Sequence, residues 1–444
     1  MKVKKRIPKK RREIKVKFEA KGLTARGGLL LIEELIHQFK VREHLDRNVC
    51  VKKRERGFDE SDHILSLAYN MIAGGSRLED VNMLREDEET KEIIQQKAIP
   101  HPTTAGDFLR SFSPGHIAQL EKALFAIQKR VHSKEKAEEV TLDIDSSIFE
   151  QYSDQKQGSC MAYTGKIGYH PQLGFRADTG EWVYGKLQRG SAYTARKAKR
   201  LLEKCLERLP KSVKRVKTRS DSGWYQHPYL ESCEQCTTHE VIYSITAPQT
   251  KRLMETVKAI KEWIPMSDDE DETRFVGECY YVGRRWKKAR RYIVKRDGQP
   301  RDEHGQLLLP FEESRYHVMV TNSTEEDIVS LMEFHKGRGN MENYIKELMY
   351  GFDLEQFPTG SFHANWVYLL IGQLAYNLVV WLKQYGLPKQ YLQSRVKQIR
   401  YRFLNLAGSI VHTARGVWLN LKKGYLHQKE FLQTLERLRA LEFA

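Results

Sequence analysis

Cysteine is scarce in this chain. There are six in 444 residues, at positions 50, 160, 205, 233, 236 and 279. Scattered at that density, they exclude a disulfide scaffold and suit a reducing compartment. Proline (13) and glycine (29) are too few for a collagen-like or low-complexity chain. Long apolar runs are missing as well. Met1–Lys17 lacks the apolar stretch of a secretory signal. The one membrane candidate, Trp366–Leu382, is broken by Gln373 and Asn377. It falls short of the ~20 residues that span a bilayer, so it predicts a buried core helix. No internal repeat is visible. With 40% hydrophobic residues the chain reads as a soluble globular protein of roughly two to four domains.

Acidic residues are scarce in two places. The chain has 75 Lys+Arg against 58 Asp+Glu, a net charge of +17. Residues 1–17 hold ten basic residues and one acid, and residues 361–444 hold twelve and three, so each end carries +9. The 343 residues between carry 53 basic and 54 acidic residues, a net of −1. Excess charge gathered at the ends points to a polyanion, because Lys and Arg that neutralise phosphates release counterions. Nucleic acid is favoured over a membrane surface.

The pattern along the chain divides it into a basic arm (1–17), a helical region (18–135), an α/β region (136–240), a β-rich insertion (241–323), a helical stretch (324–385) and a basic C-terminal helical region (386–444). Helical periodicity marks Gly27–Lys40, Glu60–Ala73, Leu78–Glu86 and His116–Val131. Strand-like runs follow at Val140–Ile148, Met161–Tyr169 and Trp182–Gln188. A helix over Ala192–Leu209 and a strand over Lys214–Ser220 complete a β-β-β-α-β order. The insertion carries an acidic run, Asp268–Glu272, and a basic run, Arg284–Arg296. Helix is expected from Thr324 almost to Ala444.

Three acids could carry chemistry. On a strand over Val140–Ile148, Asp143 and Asp145 share one face and Leu142 and Ile144 the other. Two carboxylates there call for a cation or for solvent at a sheet edge. Asp221 directly follows a short strand, where α/β sheets build their sites, although an N-cap explains it equally well. Glu342 lies four residues after Arg338 on a helix, as a surface ion pair would. Together, two strand carboxylates and a helix glutamate suit two-metal phosphoryl transfer.

The segments LDIDSS (Leu142–Ser147), GYHP (Gly168–Pro171), LQRGS (Leu187–Ser191), RSDSG (Arg219–Gly223) and GRGNMENYIKEL (Gly337–Leu348) sharpen this reading. With them the chain resembles a DDE-type transposase of a bacterial insertion sequence. It resembles the group whose glutamate sits in a Tyr-x2-Arg-x3-Glu-x6-Lys signature. The resemblance implies an RNase H-like α/β catalytic core interrupted by a β-rich insertion, with N-terminal and C-terminal helical regions. It implies that Asp145, followed directly by two serines, is the first catalytic Asp, with Asp143 as the alternative. Asp221 and Glu342 complete the set, holding two Mg²⁺, or Mn²⁺ in their place. Arg338 matches the signature Arg, while His335 stands in place of Tyr and Met349 in place of Lys.

Arg338, His335 and Lys346 are then expected to contact DNA phosphates. The insertion residues Arg284, Arg285, Trp286, Lys287 and Lys288 are expected to grip DNA around an extruded base, with Trp263 as an alternative aromatic. The implied activity is cut-and-paste transposition through strand cleavage, hairpin formation and strand transfer. It would act on double-stranded DNA, as a homodimer, in the bacterial cytoplasm near the nucleoid. Two alternatives stand: an RNase H-like nuclease or resolvase that does not join strands, and a catalytically impaired DNA-binding relative, which Met349 favours. Cys233-x2-Cys236-x2-His239 has half a zinc-site spacing and reads as buried thiols.

Overall fold

The computed structural model describes residues 17–52, 57–266, 274–284, 286–298 and 315–443. All of the basic arm but Lys17, the acidic run at 268–272 and Arg285 lie outside the described residues. The centre of the molecule is a nine-stranded mixed sheet. Its main strands are β1 (Glu139–Ser146), β2 (Gln172–Arg176), β3 (Trp182–Lys186), β4 (Arg215–Ser220), β5 (Glu240–Thr246), β6 (Arg274–Tyr281), β7 (Arg290–Asp297) and β8 (Arg315–Thr321). They lie in the order β6-β7-β8-β5-β4-β1-β2-β3, with the short strand Ile264–Pro265 outside β6. β1, β4 and β5 run parallel, and every other neighbour pair is antiparallel. The run β3-β2-β1-β4-β5 is an RNase H-like core.

Three expectations need correction. The second core strand is Gln172–Arg176; the run Met161–Tyr169 supplies only two short strands of a separate three-stranded sheet. Gly174 explains the misreading, since it weakens a strand signal. It is required there because a Cβ would meet Cys205 Sγ at 2.6 Å. Second, the β-rich insertion interrupts the core in sequence but not in space. Its strands continue the core sheet through β8, which pairs with β5. Third, the C-terminal region is not helical throughout. β9 (Gly408–Thr413) and β10 (Gly416–Leu421) form a hairpin, joined at its base by Leu23–Thr24.

The chain's helices used below are α1 (Glu60–Ala73), α2 (Pro114–Val131), α3 (Ala198–Leu206), α4 (His227–Glu234), α5 (Ile328–Lys336), α6 (Asn340–Gly351) and α7 (Phe362–Trp381). The apolar face of β1, with Leu142 and Ile144 fully buried, packs with Leu201, Leu202 and Cys205 of α3 and Leu230 of α4. α7 runs through the main core between α1, α2 and the edge strand β3. The helix at Phe362–Gly386 is long and apolar enough to cross a membrane, yet its apolar window is 94% buried inside the protein.

The polar residues that break the apolar run of α7 have a structural use. Asn377 Oδ1 accepts the Trp182 N–H at 2.9 Å, and Asn377 Nδ2 and Gln373 Nε2 both donate to the Trp182 carbonyl at 2.9 Å. Gln128 of α2 donates to the Val183 carbonyl at 3.0 Å. These side chains satisfy the outer backbone groups of an edge strand that no further strand covers.

Candidate active site

The site grows from the register of two parallel strands. Ile144 of β1 pairs with Ser220 of β4. The next residues, Asp145 and Asp221, therefore leave adjacent strands side by side at the C-terminal edge. Asp145 is buried and Asp221 partly so. The Asp221 carboxylate accepts the Gly223 N–H at 3.0 Å and caps a short turn at Ser222–Trp224. The cap and the site are the same residue.

Electrostatics mark the pair. The Asp145 carboxyl is pushed up to about 7, by burial first and then by the charge of Asp221. The Ser146 N–H and Arg338 oppose this, while the charge of Glu342 adds to it. The Asp221 carboxyl is also raised, by burial. Arg338 Nη1 stands 3.6 Å from Asp145 Oδ2. Two desolvated carboxylates facing one guanidinium leave an excess of negative potential.

Asp143 is a different case, although it shares a strand face with Asp145. It is fully buried, and Arg219 of β4 grips it with Nε–Oδ1 at 2.6 Å and Nη2–Oδ2 at 2.8 Å. The remaining Arg219 nitrogen donates to the Phe334 carbonyl at 3.0 Å, near the end of α5. A Cβ on Gly337 would meet Arg219 Nη1 at 2.1 Å. Asp143 and Arg219 thus fix the turn that carries Arg338, with both Asp143 oxygens engaged by Arg219.

Glu342 sits in the first turn of α6. That helix is held against β2 by Tyr344, whose hydroxyl donates to the Ala177 carbonyl at 3.2 Å and whose ring lies 5.4 Å from Phe175. The Glu342 side chain is 58% exposed and pairs with Lys346 at 3.6 Å. Among the described residues no three His, Cys, Asp or Glu are grouped closely enough to hold a metal ion. The structure brings Asp145 and Asp221 together and leaves Glu342 at their margin, near enough to raise Asp145. In chemistry the donors fit Mg²⁺ or Mn²⁺, being carboxylate oxygens with surplus negative charge.

The signature positions diverge from expectation. His335 is engaged within the fold. Its Nδ1 meets Ser244 Oγ at 2.7 Å and its Nε2 meets Thr246 Oγ1 at 2.9 Å, so both ring nitrogens are used by β5. Burial lowers its pKa to about 4, which keeps it neutral. Met349 packs against the main core and does not extend outward as a lysine would.

Two residues escaped the sequence reading. His170, in the GYHP segment, is buried and bridges the Ala192 carbonyl (2.8 Å) and Ser146 Oγ (2.8 Å), which fixes the loop beside Asp145. Tyr163 is 76% exposed, lies 5.6 Å from the His170 ring, and has its phenol pKa raised by burial and by the charges of Asp221 and Asp145. The histidine was visible in GYHP; nothing in the sequence singled out the tyrosine.

In the insertion, Trp286 lies 5.0 Å from the ring of Tyr225 and 5.4 Å from that of His227, with the Arg290 guanidinium 4.7 Å over it. These rings line a cavity of about 720 Å³ with Arg284, Lys251 and Arg252, just beyond the Asp221 turn. Arg284, Lys287 and Lys288 are exposed, and Lys288 pairs with Glu234 at 3.3 Å. Trp263 instead packs with Arg296, at 4.4 Å, and Tyr316. In the Cys-x2-Cys-x2-His segment, Cys233 is buried in α4 and Cys236 Sγ meets Thr238 Oγ1 at 3.4 Å.

Comparison with known proteins decides the family. A family model described as transposase DDE domain group 1 matches residues 7–443. The chain belongs to the DDE transposase family. Among curated proteins, none matches. Among solved structures, the cryo-EM structure of the piggyBac transposase synaptic complex with hairpin DNA is similar at 11% identity. It covers 84% of this chain and 78% of that one, with a TM-score of 0.42.

Proposed function

We propose that this DDE transposase moves a DNA element by metal-dependent strand cleavage followed by strand transfer. The carrying observation is the β1–β4 register that sets Asp145 beside Asp221, with the Asp145 carboxyl pushed up to about 7. A divalent cation neutralises such a pair and lets both acids ionise. Asp145, Asp221 and Glu342 would hold two Mg²⁺, or Mn²⁺, with Glu342 turning from Lys346 toward the pair. Ions bound there would activate water against a phosphodiester and stabilise the leaving oxygen.

The other residues have supporting parts in this reading. Arg338 presents its guanidinium to the scissile phosphate. Asp143 and Arg219 hold the Arg338 turn, and His170 holds the loop beside Asp145. The Trp286 cavity suits an unstacked base, since aromatic rings flanked by cations stack a base while gripping its backbone. A base drawn out in this way fits hairpin formation between cleavage and joining. A homodimer on double-stranded DNA belongs to the same proposal.

The test is incubation of the chain with Mg²⁺ and DNA carrying the element's ends. Nicks, hairpins and joined products are expected from the wild type. Asp145→Ala, Asp221→Ala and Glu342→Ala should each lose all three while still binding DNA. Hydrolysis without joining would make the protein a nuclease. Binding without cleavage would make it an impaired relative.

A further inference from the structure

The hairpin of β9 and β10 has no place in the catalytic core, and its sequence was read as helix. Its base is anchored: Ile410, Leu419 and Leu421 pack against the main core, and a Cβ on Gly27 would meet Leu421 at 2.7 Å. The third strand, Leu23–Thr24, pairs only with Gly408 and Ser409. Beyond them no further strand pairs with the ribbon among the described residues, and every residue from Val411 to Trp418 is exposed. Pairing of Val411 with Trp418, His412 with Val417 and Thr413 with Gly416 leaves Ala414 and Arg415 as a two-residue turn at the tip.

The two faces of the ribbon differ. One carries Ile410, His412, Val417 and Leu419, and leans toward acidic surface, with His412 Nε2 3.2 Å from Glu92. The other carries Val411, Thr413, Trp418 and Asn420. There the Trp418 indole donates to Thr413 Oγ1 at 3.2 Å and the residue is 57% exposed. Lys422 and Lys423, both exposed, follow directly. Between Glu355 and Glu430 the sequence has no Asp or Glu, so no acid within this segment offsets the hairpin's cations.

We infer that the β9–β10 hairpin is a second DNA-binding element, remote in the fold from the catalytic sheet. It would lay its Trp418 face on double-stranded DNA, with Arg415 entering a groove and Lys422 and Lys423 on phosphates. The major groove admits a two-stranded ribbon, and exposed cations at the tip and base of the Trp418 face, in a segment with no acid of its own, match a polyanion better than a second copy of this chain, which carries the same charge. The inference rests on the transposase reading and adds where the duplex is held.

The test uses the full chain and a labelled 30-base-pair duplex, with binding followed by anisotropy at several salt concentrations. Combined Arg415→Ala, Lys422→Ala and Lys423→Ala should weaken binding about tenfold or more. It should also reduce the slope of log affinity against log salt by roughly 1.8, at ~0.9 for each of the two lysine–phosphate contacts. Trp418→Ala should weaken binding several-fold with the slope unchanged. Lys211→Ala, an exposed lysine elsewhere, is the control, and circular dichroism confirms folding. Wild-type binding that the hairpin variants leave at the control's level overturns the inference and spares the transposase reading. So does a Trp418→Ala variant that alters only self-association in sedimentation. A wild type that binds no duplex overturns both.

Discussion

At the scale of single residues, two aspartates on one strand face have opposite roles, and burial alone does not separate them. Asp143 has its own guanidinium, while Asp145 has a second carboxylate for a neighbour and Arg338 at 3.6 Å. Removing one member of a buried ion pair costs about 3–5 kcal/mol, so Asp143→Asn should lower unfolding stability by that order. Asp145→Asn should do the reverse. Its carboxyl titrates near 7 in the folded chain, against about 3.9 when unfolded. Between those values the unfolded state has lost a proton that the folded state keeps, so stability falls as pH rises, and the cost is complete above pH 7. In chelator at pH 8 the Asn variant should be about 2–4 kcal/mol more stable than wild type, and at pH 4 the two should coincide. Added Mg²⁺ should raise the wild type's stability and leave the variant's unchanged. Denaturant unfolding at both pH values checks this; a wild type more stable than Asp145→Asn at pH 8 without metal would contradict it.

At the scale of elements, the interest lies in α6 and α7. Asn377 makes two hydrogen bonds to the backbone of Trp182, one as acceptor and one as donor. Asn377→Leu strands a buried N–H and part of a carbonyl, each worth about 1–3 kcal/mol. A loss of about 2–4 kcal/mol in denaturant unfolding is expected, with cleavage kept at temperatures where the chain stays folded. In α6 the sequence reading implied that a lysine at 349 would improve DNA contact. The packing of Met349 against the core reverses that expectation. Met349→Lys should cost about 1–3 kcal/mol through partial charge burial and lost packing, with no gain in cleavage or joining; a gain would show that the lysine reaches DNA.

These elements also show what could be read in advance. The acid-bearing end of β1 was legible because aliphatic residues alternate with Asp and Ser up to the turn, and that of β4 because a short strand runs directly into Asp221-Ser222-Gly223. The α7 core helix was legible because Gln373 and Asn377, which interrupt its run Trp366–Leu382, are too few to make a wet face. The hairpin was missed although IVHT and VWLNL, divided by Ala414-Arg415-Gly416, alternate as strands do; a neighbouring run of helices outweighed them. The fates of His335 and Met349 were not legible. Both depend on partners far along the chain, Ser244 and Thr246 for one and the main core for the other.

At the scale of the whole molecule, one sheet organises everything. Five strands make the RNase H-like core, and the insertion lengthens the same sheet. The cavity beside Trp286 therefore stands on the same sheet as Asp221, four residues before Tyr225 begins that cavity's lining. The catalytic middle is nearly neutral, and the charge is set at the two ends. Under the proposed function, such a distribution would separate holding a polyanion from cutting it. The central claim is that three segments distant in sequence converge on a divalent cation. Replacing Mg²⁺ with Fe²⁺ and adding ascorbate and peroxide cuts the polypeptide where the ion sits. Backbone cuts are predicted around Asp145, Asp221 and Arg338–Glu342, suppressed by excess Mg²⁺ and lost in Asp145→Ala and Asp221→Ala. Cuts that fall elsewhere, or that survive both substitutions, would contradict the account.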